Sequence, residues 1–127
     1  MKKVSLLLFA VVALSITGCK KPGDNSGLSI IGSWDSSQVL LALESDNTYS
    51  ITNGGIGVGL GTYKVSGQQI TFRDTGAYCG FNQTGSYNFT LYTSTNYGTT
   101  STSLLLTNAN DSCTYRSGFL VTNFLKY

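Results

Sequence analysis

Histidine is absent from all 127 residues, and methionine, tryptophan and proline occur once each. Without imidazole, the usual mixed Cys/His zinc sets and the Ser-His-Asp triad cannot be assembled. Serine and threonine are plentiful, yet no G-x-S-x-G elbow is present to activate one as a nucleophile. Charge is scarce as well: eight Lys and Arg face six Asp and Glu. No basic face can form to grip a phosphate backbone, which excludes nucleic acid as a partner. The acids Asp35, Glu44, Asp46, Asp74 and Asp111 make no catalytic pair. Asp46, Asp74 and Asp111 stand in turn sequences, where a carboxylate commonly accepts from nearby backbone N–H groups. Neither catalysis nor a metal or other cofactor is expected of this chain.

What is present begins with an address. Lys2 and Lys3 precede an apolar run, Val4 to Ile16, interrupted only by Ser5 and Ser15. The run is shorter than the roughly 20 residues that cross a bilayer as a helix, and it has the layout of an export signal. It ends in Ile16-Thr17-Gly18-Cys19. This tetrapeptide resembles the lipobox of bacterial lipoproteins: a branched apolar residue, a small residue, glycine, and the cysteine that receives lipid. The resemblance implies cleavage before Cys19, a diacylglycerol thioether on its sulfur, and a further acyl chain such as palmitate on the new N-terminus. Two or more chains give stable anchoring where a single chain is marginal. The chain then divides into residues 1–18 as signal peptide, 19–27 as acylated cysteine and flexible tether, and 28–127 as the folded domain. The tether, Lys20-Lys21-Pro22-Gly23-Asp24-Asn25-Ser26-Gly27, is polar and holds the single proline. A lysine rather than an acid after the cysteine favours the outer over the inner membrane of the bacterial cell envelope.

About 109 residues remain after cleavage, enough for one domain. Loss of Lys2 and Lys3 leaves six charges of each sign. With Cys19 taken by lipid, Cys79 and Cys113 form an even pair in an oxidising compartment and are expected to be bridged. Such a loop of about 35 residues stabilises a fold by about 3–4 kcal/mol in the chain-entropy picture.

The domain is rich in Thr, Tyr, Val, Ile and Phe, with apolar residues at period two and turn clusters every eight to twelve positions. That pattern predicts an all-β sandwich or barrel. Strands are expected near Gly32–Ser45, Thr48–Thr52, Gly57–Val65, Gln69–Arg73, Tyr78–Phe81, Ser86–Tyr92, Ser103–Thr107 and Cys113–Phe124. Asn53-Gly54-Gly55 and Ser66-Gly67 are hairpin signals, and Ser45-Asp46-Asn47 tolerates left-handed backbone. Thr93 to Thr102 and Asn108 to Ser112 read as loops, and no helix is expected after Gly27. Eight short strands joined mostly by hairpins suit a closed up-and-down antiparallel barrel, which leaves no sheet edge exposed.

A succession of motifs points further. Gly32-Ser33-Trp34, Asp46-Asn47-Thr48-Tyr49, Gly61-Thr62-Tyr63-Lys64-Val65 and Ile70-Thr71-Phe72 occur in order, followed by Cys79, Gly85-Ser86-Tyr87 and Asp111-Ser112-Cys113-Thr114-Tyr115-Arg116. Together they resemble small bacterial lipocalin-like lipoproteins, with Asn47 where glycine is usual. The resemblance covers Gly32 to Arg116 and implies that Trp34 packs at a barrel end against Arg116, a guanidinium over an indole. A buried Trp34 with an unrelated surface Arg116 is the plainer alternative. The chain is shorter than a typical lipocalin.

The run Gly54-Gly55-Ile56-Gly57-Val58-Gly59-Leu60-Gly61 leads into a strand rather than a helix, so it is not a phosphate-binding loop. Extended, it would put glycines on one face and Ile56, Val58 and Leu60 on the other. Gly57 and Gly59 would then leave room inside the barrel, beside Tyr49, Tyr63 and Tyr78, for a small apolar ligand. A flexible hairpin and ordinary tyrosine packing explain the same residues. The alternative to a ligand carrier is a protein-interaction module, such as an inhibitor of lysozyme or of proteases. It would engage an envelope or host protein through Thr93–Thr102 and Tyr97. A structural envelope component is the third reading. If the lipobox reading holds, Cys19→Ala abolishes incorporation of labelled palmitate and moves the protein out of the membrane fraction; labelling unchanged by the substitution would refute it.

Overall fold

The structure, a computed structural model, describes residues 28–76 and 78–127. The expected signal peptide, Cys19 and tether lie outside the described residues. Eight strands close into one antiparallel up-and-down barrel: β1 Gly32–Ser36, β2 Val39–Leu43, β3 Thr48–Asn53, β4 Ile56–Ser66, β5 Gln69–Asp74, β6 Thr84–Asn96, β7 Thr99–Asn110 and β8 Asn123–Lys126. A short helix, α1 Thr114–Leu120, sits between β7 and β8. β8 closes the ring, pairing β7 through Leu104↔Phe124 and β1 through Trp34↔Lys126. Because every neighbour is antiparallel, the β1–β2, β3–β4 and β5–β6 connections share one end with α1. The N-terminal segment and the remaining turns share the other.

Local chemistry accounts for the turns. Gly54 and Gly55 both have positive φ, 56° and 82°, as a two-residue hairpin of this twist requires. Asn47 has φ 66°, a left-handed conformation that asparagine tolerates well among residues with a side chain. Five expectations need correction. Asn108–Ser112 is not all loop, since β7 runs on to Asn110 opposite Ser86. Gly32–Ser45 is not one strand: Ser37, at φ 59°, turns the chain between β1 and β2 without the glycine or proline that would have signalled it. Tyr78–Phe81 is not a strand but an irregular connection tied down by the Cys79–Cys113 disulfide, with Cα atoms 5.6 Å apart. Thr93–Thr102 is not a loop. β6 and β7 continue as a hairpin through Asn96↔Thr99, and the turn is Tyr97-Gly98, at φ 48° and 79°. Cys113–Phe124 is mostly helix, not strand.

That helix has little propensity of its own, since it is two turns long and contains Thr, Ser and Gly. It is held by tertiary contacts. Arg116 and Leu120, one turn apart, are both buried, and the Cys113 sulfur accepts from the Arg116 N–H at 3.4 Å. A buried arginine at the core position hides the helical period from any apolar pattern.

Trp34, Leu41, Leu43, Ile51, Ile70, Phe72, Tyr87, Leu104, Leu106, Leu120 and Phe124 have essentially no exposed surface, and they fill the space between the strands. Phe72 lies edge-on between Tyr49 and Tyr87, with ring centroids at 4.8 and 5.7 Å. Each such aromatic contact adds about 0.5–1.5 kcal/mol beyond burial of area. Tyr87, Phe89 and Leu91 do face inward as the alternation predicts, with Phe89 half-buried.

Candidate functional site

The most concentrated chemistry in the domain lies where α1 caps the barrel. Arg116 is buried, yet its guanidinium donates to Asp111 Oδ2 at 2.7 Å through Nε and to Asp111 Oδ1 at 3.0 Å through Nη2. Nη1 donates to Asp74 Oδ1 at 2.7 Å and to the Gln83 carbonyl at 3.3 Å. The Tyr49 and Tyr87 hydroxyls donate to Asp74 and Asp111 respectively. Asp111 also accepts from the Cys113 N–H at 2.8 Å, fixing the residue that starts the helix and carries the disulfide. Gly85 makes this packing possible: a Cβ there would stand 2.2 Å from the Asp111 carboxyl and 2.6 Å from Arg116 Nη2.

The electrostatics follow from this geometry. Burial pulls the Arg116 charge toward neutrality, but the hydrogen bonds and charges of Asp111 and Asp74 outweigh it and hold the guanidinium firmly protonated. Burial pushes the Asp111 carboxyl up; hydrogen bonds from Arg116, Tyr87 and the Cys113 N–H, with the Arg116 charge, bring it below its ordinary 3.8. Burial, then the adjacent carboxylates, raise the Tyr49 and Tyr87 hydroxyls, so both stay protonated donors. Among the described residues no buried polar side-chain atom is left without a hydrogen-bond partner, so the cluster is a satisfied ionic network. Asp74, expected to serve nearby backbone in a turn, is a buried ion-pair partner instead.

Trp34 and Arg116, expected together, have different partners. The cation over the Trp34 ring is Lys126, its Nζ 5.2 Å from the ring centroid, a distance at which the attraction is worth about 0.5–2 kcal/mol. The indole donates to the Ile30 carbonyl at 2.7 Å, and Lys126 Nζ donates to the Ser29 and Ile31 carbonyls. These bonds hold the N-terminal segment against the barrel end opposite α1.

The residues expected to line an internal pocket are otherwise engaged. Tyr63 is buried and donates to the Glu44 carbonyl at 2.7 Å. A bulge between β3 and β4 makes Val58 the extra residue, so Val58 and Gly59 are both buried while Gly57 is exposed. The strict alternation read from the glycine run fails there. Room left by Gly59 is taken by Ile51, whose Cδ1 would lie 3.3 Å from an added Cβ. Gly61 is demanded by close strand approach, since a Cβ would sit 2.0 Å from the Arg73 carbonyl oxygen. Tyr78 stands outside the barrel, its hydroxyl donating to the Gly57 carbonyl at 2.7 Å.

Outside, Tyr78 stacks on Tyr115 at 5.5 Å with planes 3° apart, and Tyr115 meets Phe119 edge-on at 5.1 Å. Tyr78 and Tyr115 are each more than two-fifths exposed, and Phe81, two residues past Cys79, is 73% exposed. The disulfide joins the two segments that carry them. Sequence reading missed Phe81, Tyr115 and Phe119 as a group; the Cys79–Cys113 pairing was the signal that would have brought residues 78–81 beside α1. A separate open groove of about 470 Å³ lies at the opposite end, bordered by Ile30, Ile31, Asn47, Tyr63, Lys64 and Val65. Among the described residues, no three His, Cys, Asp or Glu side chains gather as a metal-holding group. Comparison with protein-family models, curated proteins and solved structures finds no match to this chain.

Removing the cation should expose the cost of the buried acids. Arg116→Met is expected to lower unfolding free energy by about 3–5 kcal/mol in urea titrations, the range for a broken buried pair. Asp111, depressed in the folded state, contributes stability that is full above pH 3.8 and lost as pH falls through its lower folded value. Asp111→Asn should therefore lower the urea midpoint near neutrality and flatten its decline below about pH 4; an unchanged acid slope would contradict the assignment.

Proposed function

We propose that the chain is a lipid-anchored, lipocalin-like lipoprotein of the bacterial cell envelope, attached through Cys19 and facing out from the outer membrane or into the periplasm. It acts without catalysis, by binding a protein through its outer surface. The supporting observation is the contrast between a barrel interior occupied by fully buried side chains and an outer aromatic platform, in which exposed Tyr78 stacks on exposed Tyr115, half-buried Phe119 backs Tyr115, and Phe81, nearby in sequence to Tyr78, is exposed. Aromatic rings held rigidly at a surface give large contact area with little entropy to lose, which is why they dominate interface hot spots. A disulfide and a buried ion cluster beneath the platform provide that rigidity. An envelope or secreted hydrolase, such as a lysozyme or a protease, is the partner class.

A small apolar ligand is the second reading. It is favoured by the groove beside Ile30, Ile31, Tyr63 and Val65, whose volume falls within the range of small-molecule sites.

Titration against lysozyme and against serine proteases tests the first reading. Inhibition should be saturable, and Phe81→Ala with Tyr115→Ala should weaken it by roughly 30-fold or more, the scale of an interface hot spot. Full inhibition by the double variant, or none by the parent, would count against a protein partner at this platform.

A further inference from the structure

β6 and β7, at 13 and 12 residues, are longer than any other strand, and the excess lies at the end opposite α1. β5 pairs with β6 only as far as Gln69↔Asn88, and the last bond across that seam is Phe89 N–H to the Gln68 carbonyl at 2.8 Å. Beyond it β6 pairs with β7 alone, through Ser94↔Ser101 to Asn96↔Thr99. A two-stranded ribbon therefore stands out from an otherwise closed barrel.

Bond direction alternates along a strand. Phe89 points its N–H at β5, so Thr93 and Thr95 turn their N–H and C=O groups the same way, to where β5 no longer runs. Both residues are exposed. On the other margin of the ribbon Thr102 is half-buried, so the β6 margin is the more open. Natural sheets protect such margins with lysine, proline or a bulge. From Thr90 to Thr102 the ribbon has no charged residue and no proline, and its register runs without interruption.

We propose that this margin of β6 pairs antiparallel with the same margin of a second copy of the chain, making a dimer through a four-stranded ribbon. An antiparallel edge is its own complement under a two-fold axis. Setting Thr93 opposite Thr95 of the second copy forms two hydrogen-bonded pairs, four backbone bonds in all, about an axis at Ser94. Identical chains meeting there bring identical side chains, and the absence of charge means that no like-charge repulsion opposes the contact. The pairing does not depend on where the protein is anchored.

The test uses the protein expressed from its full gene and extracted in detergent. At the axis, Ser94 faces its counterpart in a non-hydrogen-bonded pair with Cα atoms about 4.5 Å apart, within reach of a disulfide. Ser101, on β7, would be about 14 Å from its counterpart, three strand spacings away. Under mild oxidation S94C should give a covalent dimer, and S101C no more than the parent chain. Adding Thr93→Pro removes an outward N–H that bonds nothing within the ribbon, and should cut S94C cross-linking at least tenfold while the Cys79–Cys113 bond still forms. In the chain without added cysteine, Ser94→Lys sets like charges opposite each other and should shift sedimentation from dimer to monomer. Equal cross-linking by S94C and S101C, cross-linking indifferent to Thr93→Pro, attachment of S94C to a different protein, or a parent chain that sediments as monomer throughout would each overturn the proposal.

Discussion

Among the described residues, Arg116 is a cation buried with its two carboxylate partners, and the end of the barrel bearing α1 is organised around it. Its two carboxylate partners come from distant parts of the chain, Asp74 at the end of β5 and Asp111 after β7. Two tyrosines from β3 and β6 donate to those carboxylates from inside the barrel. The cluster thus ties four structural segments to the helix. Such a cluster is costly to desolvate and worth keeping only when every bond is made. That condition is met here, since no buried polar side-chain atom among the described residues lacks a partner.

Consequences run outward from that point. Asp111 orients the Cys113 N–H, Cys113 begins α1 and is bridged to Cys79, and the bridge sits beside the stack of Tyr78 on Tyr115, which in turn meets Phe119. The Tyr78–Tyr115–Phe119 stack is therefore joined through Cys113 to the ionic cluster. At the opposite end Lys126 does a comparable job with one cation, covering Trp34 and holding the carbonyls of the N-terminal segment. In the interior between the two ends, Ile51 occupies the room beside Gly59 and three aromatic rings pack edge to face.

The all-β class and the closed up-and-down barrel were legible from alternation and turn residues, because period two and left-handed glycine or asparagine are local properties. Hairpins at Asn53-Gly54-Gly55 and at Ser66-Gly67, the left-handed Asn47, and the inward set Tyr87, Phe89 and Leu91 fall into this category. The turns at Ser37 and Tyr97 were not legible, since serine and tyrosine carry no strong preference for positive φ and were placed there by the register of the strands on either side. The bulge at Val58 was equally invisible, and it alone moved Gly57 from the expected inner face to the outside.

The sequence by itself was enough for the barrel class, for the expectation that Cys79 bridges Cys113, and for the shortage of groups for acid–base chemistry. Each depends on residue type and spacing along one stretch of chain. Only the tertiary structure decided that Arg116 meets Asp74 and Asp111 rather than Trp34, that Lys126 takes the indole, that residues 114–120 form a helix, and that the tyrosines are divided between core and surface. Those outcomes depend on which distant groups arrive within hydrogen-bonding distance when the sheet closes. A cation buried among carboxylates does not declare its partners until that has happened.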